Sequence, residues 1–275
     1  MAAARPTASH ATERGIALVI VLWAVVLLGI MAQAFVAEIR TETKLTRNLI
    51  DDSAAKALAD GGVYAAIGRL SEQQALLSEG SDGLPPVWQT ADGLVEVAVQ
   101  DEDGKIDLNT ASDALLTALF RAAGLEEDAA KALTDKIADW KDPDNLHRLN
   151  GAEDDAYGAA GLPYGAKDKR FEDVDELRLV LGMTPALFAS VAPALTTHNG
   201  SAGVDPEAAP PAVLQALLPE HAATVEDILA AREAQDAAAY EAALARAGIQ
   251  QGFITRSSRS VFTVRAVART AGGAT

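Results

Sequence analysis

The chain has 275 residues, with 39 Asp plus Glu against 23 Lys plus Arg, four His, no Cys and a formal charge of −16. That length can bury one large core or two modest ones. The lack of cysteine excludes thiol catalysis, disulfides and Cys-based zinc or iron–sulfur sites. The acidity argues against broad electrostatic binding of nucleic acid, which needs a basic face to displace phosphate counterions, and makes divalent cations the better charged partner.

The most informative segment comes first. Residues Ile16 to Ala37 run 22 positions without a charge. As a helix at about 1.5 Å per residue they reach about 33 Å, enough for a bilayer core of about 30 Å. A cleavable secretory signal has an apolar stretch of only about 7–15 residues, so the segment reads as a retained membrane span. The helical pattern continues without Pro through Leu45, Leu49, Val63, Ile67 and Leu70. One helix is therefore expected from Ile16 to about Leu77, apolar all round in its first half and amphipathic in its second, with Gly61 and Gly62 as weak points. Ahead of it, Arg5 and Arg14 against Glu13 give a net charge of +1. This basic flank places the N-terminus in the cytoplasm and sends the acidic bulk across the membrane.

Gly15 at the polar/apolar border, followed by this helix, resembles the type IV prepilin signal. That resemblance implies cleavage between Gly15 and Ile16 by a prepilin peptidase and methylation of the new N-terminus. Most such proteins carry Glu at the fifth mature position; here it is Ile20. An apolar residue there costs nothing in lipid and suits a terminal subunit.

After Ser78 the composition turns to Gly, Ser, Asp and Pro, a loop that ends the helix. Leu94–Gln100 alternates apolar and polar, and Lys105–Leu108 can return antiparallel to it across Asp103-Gly104. Helical spacing follows over Asn109–Arg121, capped at Asn109 or Thr110, and over Glu126–Trp140. Shorter helices are expected at Asp175–Leu181, Pro185–Leu195, Pro210–Leu218, Val225–Glu233 and Ala237–Ala247. From Gly252 to Thr270 β character returns, with Arg256, Arg259, Arg265 and Arg269 interleaved. Strands that open and close the soluble part around helices predict an α+β fold with a helical insertion into a small sheet.

A weak repeat sets Ile106-Asp-Leu-Asn-Thr-Ala-Ser and its two helices beside Val204-Asp-Pro-Glu-Ala-Ala-Pro and its two helices. The outline resembles helix-hairpin-helix modules, some of which bind DNA. The hairpins at Gly124–Asp128, Gly182–Pro185 and Pro219–Ala222 lack the glycine pair that would cradle phosphate, and the first bears three carboxylates, which argues against nucleic acid.

Between Asp101 and Asp155 stand 15 acidic and six basic residues. The densest part is Asp139, Asp142, Asp144 and Asn145, then Asn150, Glu153, Asp154 and Asp155. Calcium takes six to eight oxygens in flexible geometry, and a loop broken by Pro143 and Gly151 and anchored by Trp140 can supply them. A solvated acidic loop, with Asp142 and Asp144 as turn residues, is the competing reading. Asp101–Asp107 resembles the middle of an EF-hand loop but fails at the positions Val99 and Thr110, so a hairpin turn is preferred there. His10, His147, His198 and His221 are scattered, and no His-Glu-x-x-His, Gly-x-Ser-x-Gly or phosphate-loop motif occurs, so no catalytic residue is assigned.

Taken in order, Arg14-Gly15-Ile-Ala-Leu-Val, AKALADGGVYAAI, DEDGKIDLNTAS, IADWKDPD, NGAEDDAY, FEDVDELRLVLGM and SVFTVRAVA resemble the minor pseudopilin K family of the bacterial type II secretion system. The resemblance implies a non-enzymatic subunit at the pseudopilus tip, with minor pseudopilins I and J as partners and a single-pass anchor in the inner membrane with its C-terminal domain in the periplasm. It also implies a pilin-like fold, a long N-terminal helix on a small antiparallel sheet with a large helical domain inserted between strands. Calcium is implied too, with Asp139, Asp142, Asp144, Glu153 and Asp154 as the matched ligand positions. The expected organisation is a leader over 1–15, the N-terminal helix over 16–78 with its span at 16–37, strands over 79–108, and an inserted helical domain over 109–200. A second, helix-hairpin-helix-like segment over 201–250 and closing strands over 251–275 complete it. A competence-type, membrane-tethered DNA receptor and a type IV pilus minor pilin are the alternatives.

Overall fold

The computed structural model describes residues 11–75, 87–256 and 261–270. Helix α1 runs unbroken from Ala11 to Ala75. Its first half exposes Leu18, Ile20, Trp23, Leu27 and Phe35, and it is long and apolar enough to cross a membrane. In the second half the hydroxyls of Thr41, Thr43, Ser53 and Ser71 donate to carbonyls four residues back, at 2.7–3.0 Å, so these side chains fold onto the helix rather than competing with it. The loop expected after Ser78 lies outside the described residues.

The chain divides into two compact units, Met1–Val97 with Arg265–Thr275, and Ala98–Val264. In the first unit, α1 packs on a three-stranded sheet of order β1-β2-β5, formed by β1 (Val87–Gln89), β2 (Gly93–Asp101) and β5 (Phe262–Thr270). Strand β1 is antiparallel to β2, with Trp88 opposite Val95. Strand β5 runs antiparallel to β2 as well: the Glu102 N–H donates to Val261 O, and Gly93 lies against Arg269 and Thr270. Val95, Val97 and Ala268 are buried. Gly62 does not weaken the helix; it lets the sheet approach, since a Cβ there would lie 2.7 Å from Val95 Cγ1 and 3.2 Å from Val97 Cγ2.

The hairpin expected across Asp103-Gly104 does not form. The Asp101 carboxylate accepts from Asp103 N, which starts a 3₁₀ turn over Glu102–Gly104. The chain leaves that turn away from β2, and β3 (Ile106–Asp107) pairs in parallel with β4 (Leu195–Thr196). Asn199 Nδ2 donates to the carbonyls of Glu102 and Lys105 and holds this exit. Because β2 is flanked by β1 and β5, no edge is left for a returning strand.

The second unit is helical: α2 (Asp113–Ala122), α3 (Glu127–Lys141), α4 (Asp154–Ala159), α5 (Pro185–Val191), α6 (Pro211–Leu217), α7 (Ala222–Glu233) and α8 (Ala237–Ala247). Its core gathers Leu115, Leu116, Leu119, Phe120, Ile137, Leu214 and Ile228, all buried. Each such side chain contributes about 1.5–3 kcal/mol of burial. Ser112, not Asn109 or Thr110, caps α2, accepting from Leu115 N. Asn109 instead exchanges hydrogen bonds with the backbone of Phe171, at 2.8 and 3.0 Å. The helix expected over 175–181 is a 3₁₀ turn, Val174–Leu179, closed at its start by a capping box between Asp173 and Glu176.

The internal repeat has a structural counterpart. Asp107 and Asp205 each accept a hydrogen bond from the backbone N–H two residues on. Each lead then enters a helical hairpin, α2–α3 or α6–α7, and α2 packs against α6. Each lead also pairs in parallel with a segment after its helices, Ile106 with Leu195 and Val204 with Ile254.

Candidate metal centre

The acidic constellation is positioned by the end of α3 and the start of α4. Residue periodicity along α3 points Leu133, Ile137 and Trp140 into the core, and Asp139 is carried in beside them with no exposed surface. Trp140 anchors the region through Tyr157 at 5.6 Å between ring centroids and through Tyr164 and Phe171, both at 6.4 Å. The Tyr157 hydroxyl accepts from Leu181 N, and burial pushes its pKa up to about 12.

Asp142 is the C-cap of α3. Carboxylates near a helix C-terminus meet the negative end of its dipole, so Asp139 and Asp142 are placed unfavourably there. Asp139 accepts from Arg148 N at 3.2 Å, and Gly151 lies so close that a Cβ on it would overlap the Asp139 carboxylate. Arg148 directs its guanidinium chiefly to Asp113, at 2.5 Å, and reaches Asp139 only at 3.9 Å.

Glu153, 2% exposed, precedes α4 at its N-cap but makes no capping bond. Both its carboxylate oxygens are buried without a hydrogen-bond partner, and so are one oxygen of Asp142 and one of Asp168. Burial first, then the negative charges of Asp139, Asp142 and Asp168, push the Glu153 pKa up from 4.5 to about 7. Burial, Asp144 and Asp139 likewise raise Asp142. Buried carboxylates without partners are costly unless a cation neutralises them. Among the described residues, no three His, Asp or Glu side chains are already drawn into a closed ligand cluster.

Of the five expected ligand positions, Asp139, Asp142 and Glu153 are near enough for their charges to act on one another, without forming a group of three that could hold a metal ion among the described residues. Asp144 and Asp154 are exposed and each satisfies a backbone N–H, of Leu146 at 2.9 Å and Ala166 at 3.0 Å. Asp168 was not anticipated. It stands among Lys167, Lys169 and Arg170, which hide it in a charge count, and its backbone is left-handed (φ 55°), held by a hydrogen bond from its N–H to Trp140 O. Asp is one of the few residue types that tolerates this conformation, the only local signal it carries.

A long apolar helix that leads into a small antiparallel sheet, with a helical unit inserted between two of that sheet's strands, defines a pilin-like fold, and the helix is consistent with a single-pass membrane anchor. Residues 93–199 match the family described as type II secretion system (T2SS), protein K. The type II secretion system protein K of Klebsiella pneumoniae is 29% identical over 267 residues, covering 87% of this chain and 81% of the relative. That of Pectobacterium carotovorum is 39% identical over 75 residues, 27% of this chain and 23% of the relative. A chain of the crystal structure of the GspK-GspI-GspJ complex from the enterotoxigenic Escherichia coli Type 2 Secretion System has the same fold. It superposes with a TM-score of 0.53 at 17% identity, covering 84% of this chain and 89% of that one. Together these matches support a type II secretion protein K, a minor pseudopilin of that system. The competence-type DNA receptor and the type IV minor pilin are not favoured.

Proposed function

We propose that this subunit sits at the tip of the pseudopilus with minor pseudopilins I and J, and that it initiates or caps the fibre without catalysing a reaction. The observation that carries the reading is the helical unit Ala98–Val264 interrupting a pilin-like sheet between β2 and β5. A subunit with an insertion of that bulk cannot be repeated along a closely packed fibre, so it belongs at an end. Ile20 in place of the usual carboxylate agrees with an end position, since a terminal subunit needs no ion pair to a neighbour above it. Before assembly the chain is anchored by one span in the inner membrane with its acidic bulk in the periplasm. Prepilin peptidase cuts after Gly15 and Ile16 becomes the methylated N-terminus.

Calcium would neutralise the orphaned oxygens of Asp142, Glu153 and Asp168 beside Asp139, whereas Asp144 and Asp154 already accept from backbone N–H groups. The cation would supply charge neutralisation and a fold-stabilising link between the end of α3 and the start of α4. The test is copurification of the full-length chain with subunits I and J from detergent-solubilised membranes. A stable complex of the three supports the assignment, and a chain recovered alone while I and J remain paired rejects it.

A further inference from the structure

Charge is distributed unevenly along the chain. Against a total of −16, residues 242–275 contain five Arg and no acidic residue. Two of these, Arg265 and Arg269, lie on β5, the nine-residue strand at the end of the three-stranded order. Among the described residues nothing pairs with the outer edge of β5 over Phe262–Arg269, which presents open backbone donors and acceptors there. Both arginines are exposed, and Ala266 and Ala268 between them face inward toward α1. Four residues apart on a strand, the two arginines share one face, with their Cα atoms about 13 Å apart. Arg269 makes only a long, exposed contact with Glu96, at 3.9 Å, and no ion pair of Arg265 is found among the described residues. Such a pair is worth little and exchanges easily.

We infer that the outer edge of β5 is a docking site for an extended, carboxylate-bearing segment of a partner protein, added as a further strand. Main-chain hydrogen bonds along the edge supply affinity, and acidic residues four positions apart in the partner strand pair with Arg265 and Arg269. A second copy of this chain is disfavoured, because two β5 edges side by side would bring arginines against arginines. Protection against aggregation alone would be served by either sign of charge. In a chain this acidic, the consistent choice of Arg marks an acidic partner.

The test uses the full-length protein in detergent micelles and a fluorescent nine-residue peptide of alternating Thr and Val, with Glu at its third and seventh positions. Its counterparts carry Lys at those positions, or carry the Glu pair with N-methyl groups on alternate residues. The Glu peptide is expected to bind about tenfold more tightly than the Lys peptide, to weaken with added salt, and to lose binding on N-methylation. The double variant Arg265→Glu, Arg269→Glu is expected to invert the preference, a result that an unfolded variant could not give. Equal binding of the Glu and Lys peptides, undiminished binding of the N-methylated peptide, an unchanged preference in the double variant, or no binding of any peptide would overturn the proposal.

Discussion

Glu153 concentrates the physics of the candidate metal centre in one side chain: a buried carboxylate with no donor, pushed up to about 7 by burial and by three neighbouring acids. In chelator, a carboxyl whose folded pKa lies above its ordinary 4.5 contributes stability that is complete below about 4.5 and is lost as pH rises through about 7. A bound cation needs the ionised form, so its effect has the opposite slope. The calcium-induced rise in the unfolding midpoint should therefore grow from about pH 5 to about pH 8. Glu153→Gln keeps the shape but removes the charge, and should abolish the calcium response while leaving a well-folded protein in chelator. Calorimetry of both proteins with and without calcium reads this directly, and an equal calcium shift in the variant would remove Glu153 from the ligand set. Asp168→Asn should also weaken the calcium shift. Asp168→Ala should in addition destabilise the metal-free protein by about 1 kcal/mol, because Ala fits the left-handed backbone poorly.

At the level of elements, the contact of α1 with its sheet turns on Gly62. Gly62→Leu would drive a side chain into Val95, Val97 and Ala266, with an expected cost of about 1–3 kcal/mol or a displaced sheet. Gly68→Ala, where nothing lies within 4 Å, should instead stabilise the helix by about 0.5–1 kcal/mol. Chemical denaturation of the two variants compares them, and a Gly62→Leu protein as stable as the parent would contradict the packing described. The elements most legible in the sequence were those specified by local pattern. The long apolar-to-amphipathic helix, α3 and α8 follow from periodicity and helix-forming residues close to one another. What could not be read depended on distant partners. Lys105–Leu108 looked like the second arm of a hairpin, and only Leu195 and Thr196, far along the chain, draw Ile106 and Asp107 away from β2. The acidic centre was legible as a cluster near α3, yet Asp168 joins it through a backbone bond to Trp140 that no local spacing announces.

At the scale of the whole molecule there are two units, one built from the long apolar helix and a small sheet and one helical. In the proposed function the helix is the part that joins the chain to the fibre, which requires that it be retained after processing. Ile20→Glu should still be processed, because the change lies beyond the cleavage site. Gly15→Val should block cleavage, seen on an immunoblot as a slower band in cells with active peptidase; identical mobility for the two would argue against processing at that bond. The most direct measurement is intact-mass and N-terminal analysis of the protein recovered from membranes. The mature chain is expected to begin with N-methylated Ile16 and still to contain residues 16–37. A chain beginning downstream of Ala37 would contradict it.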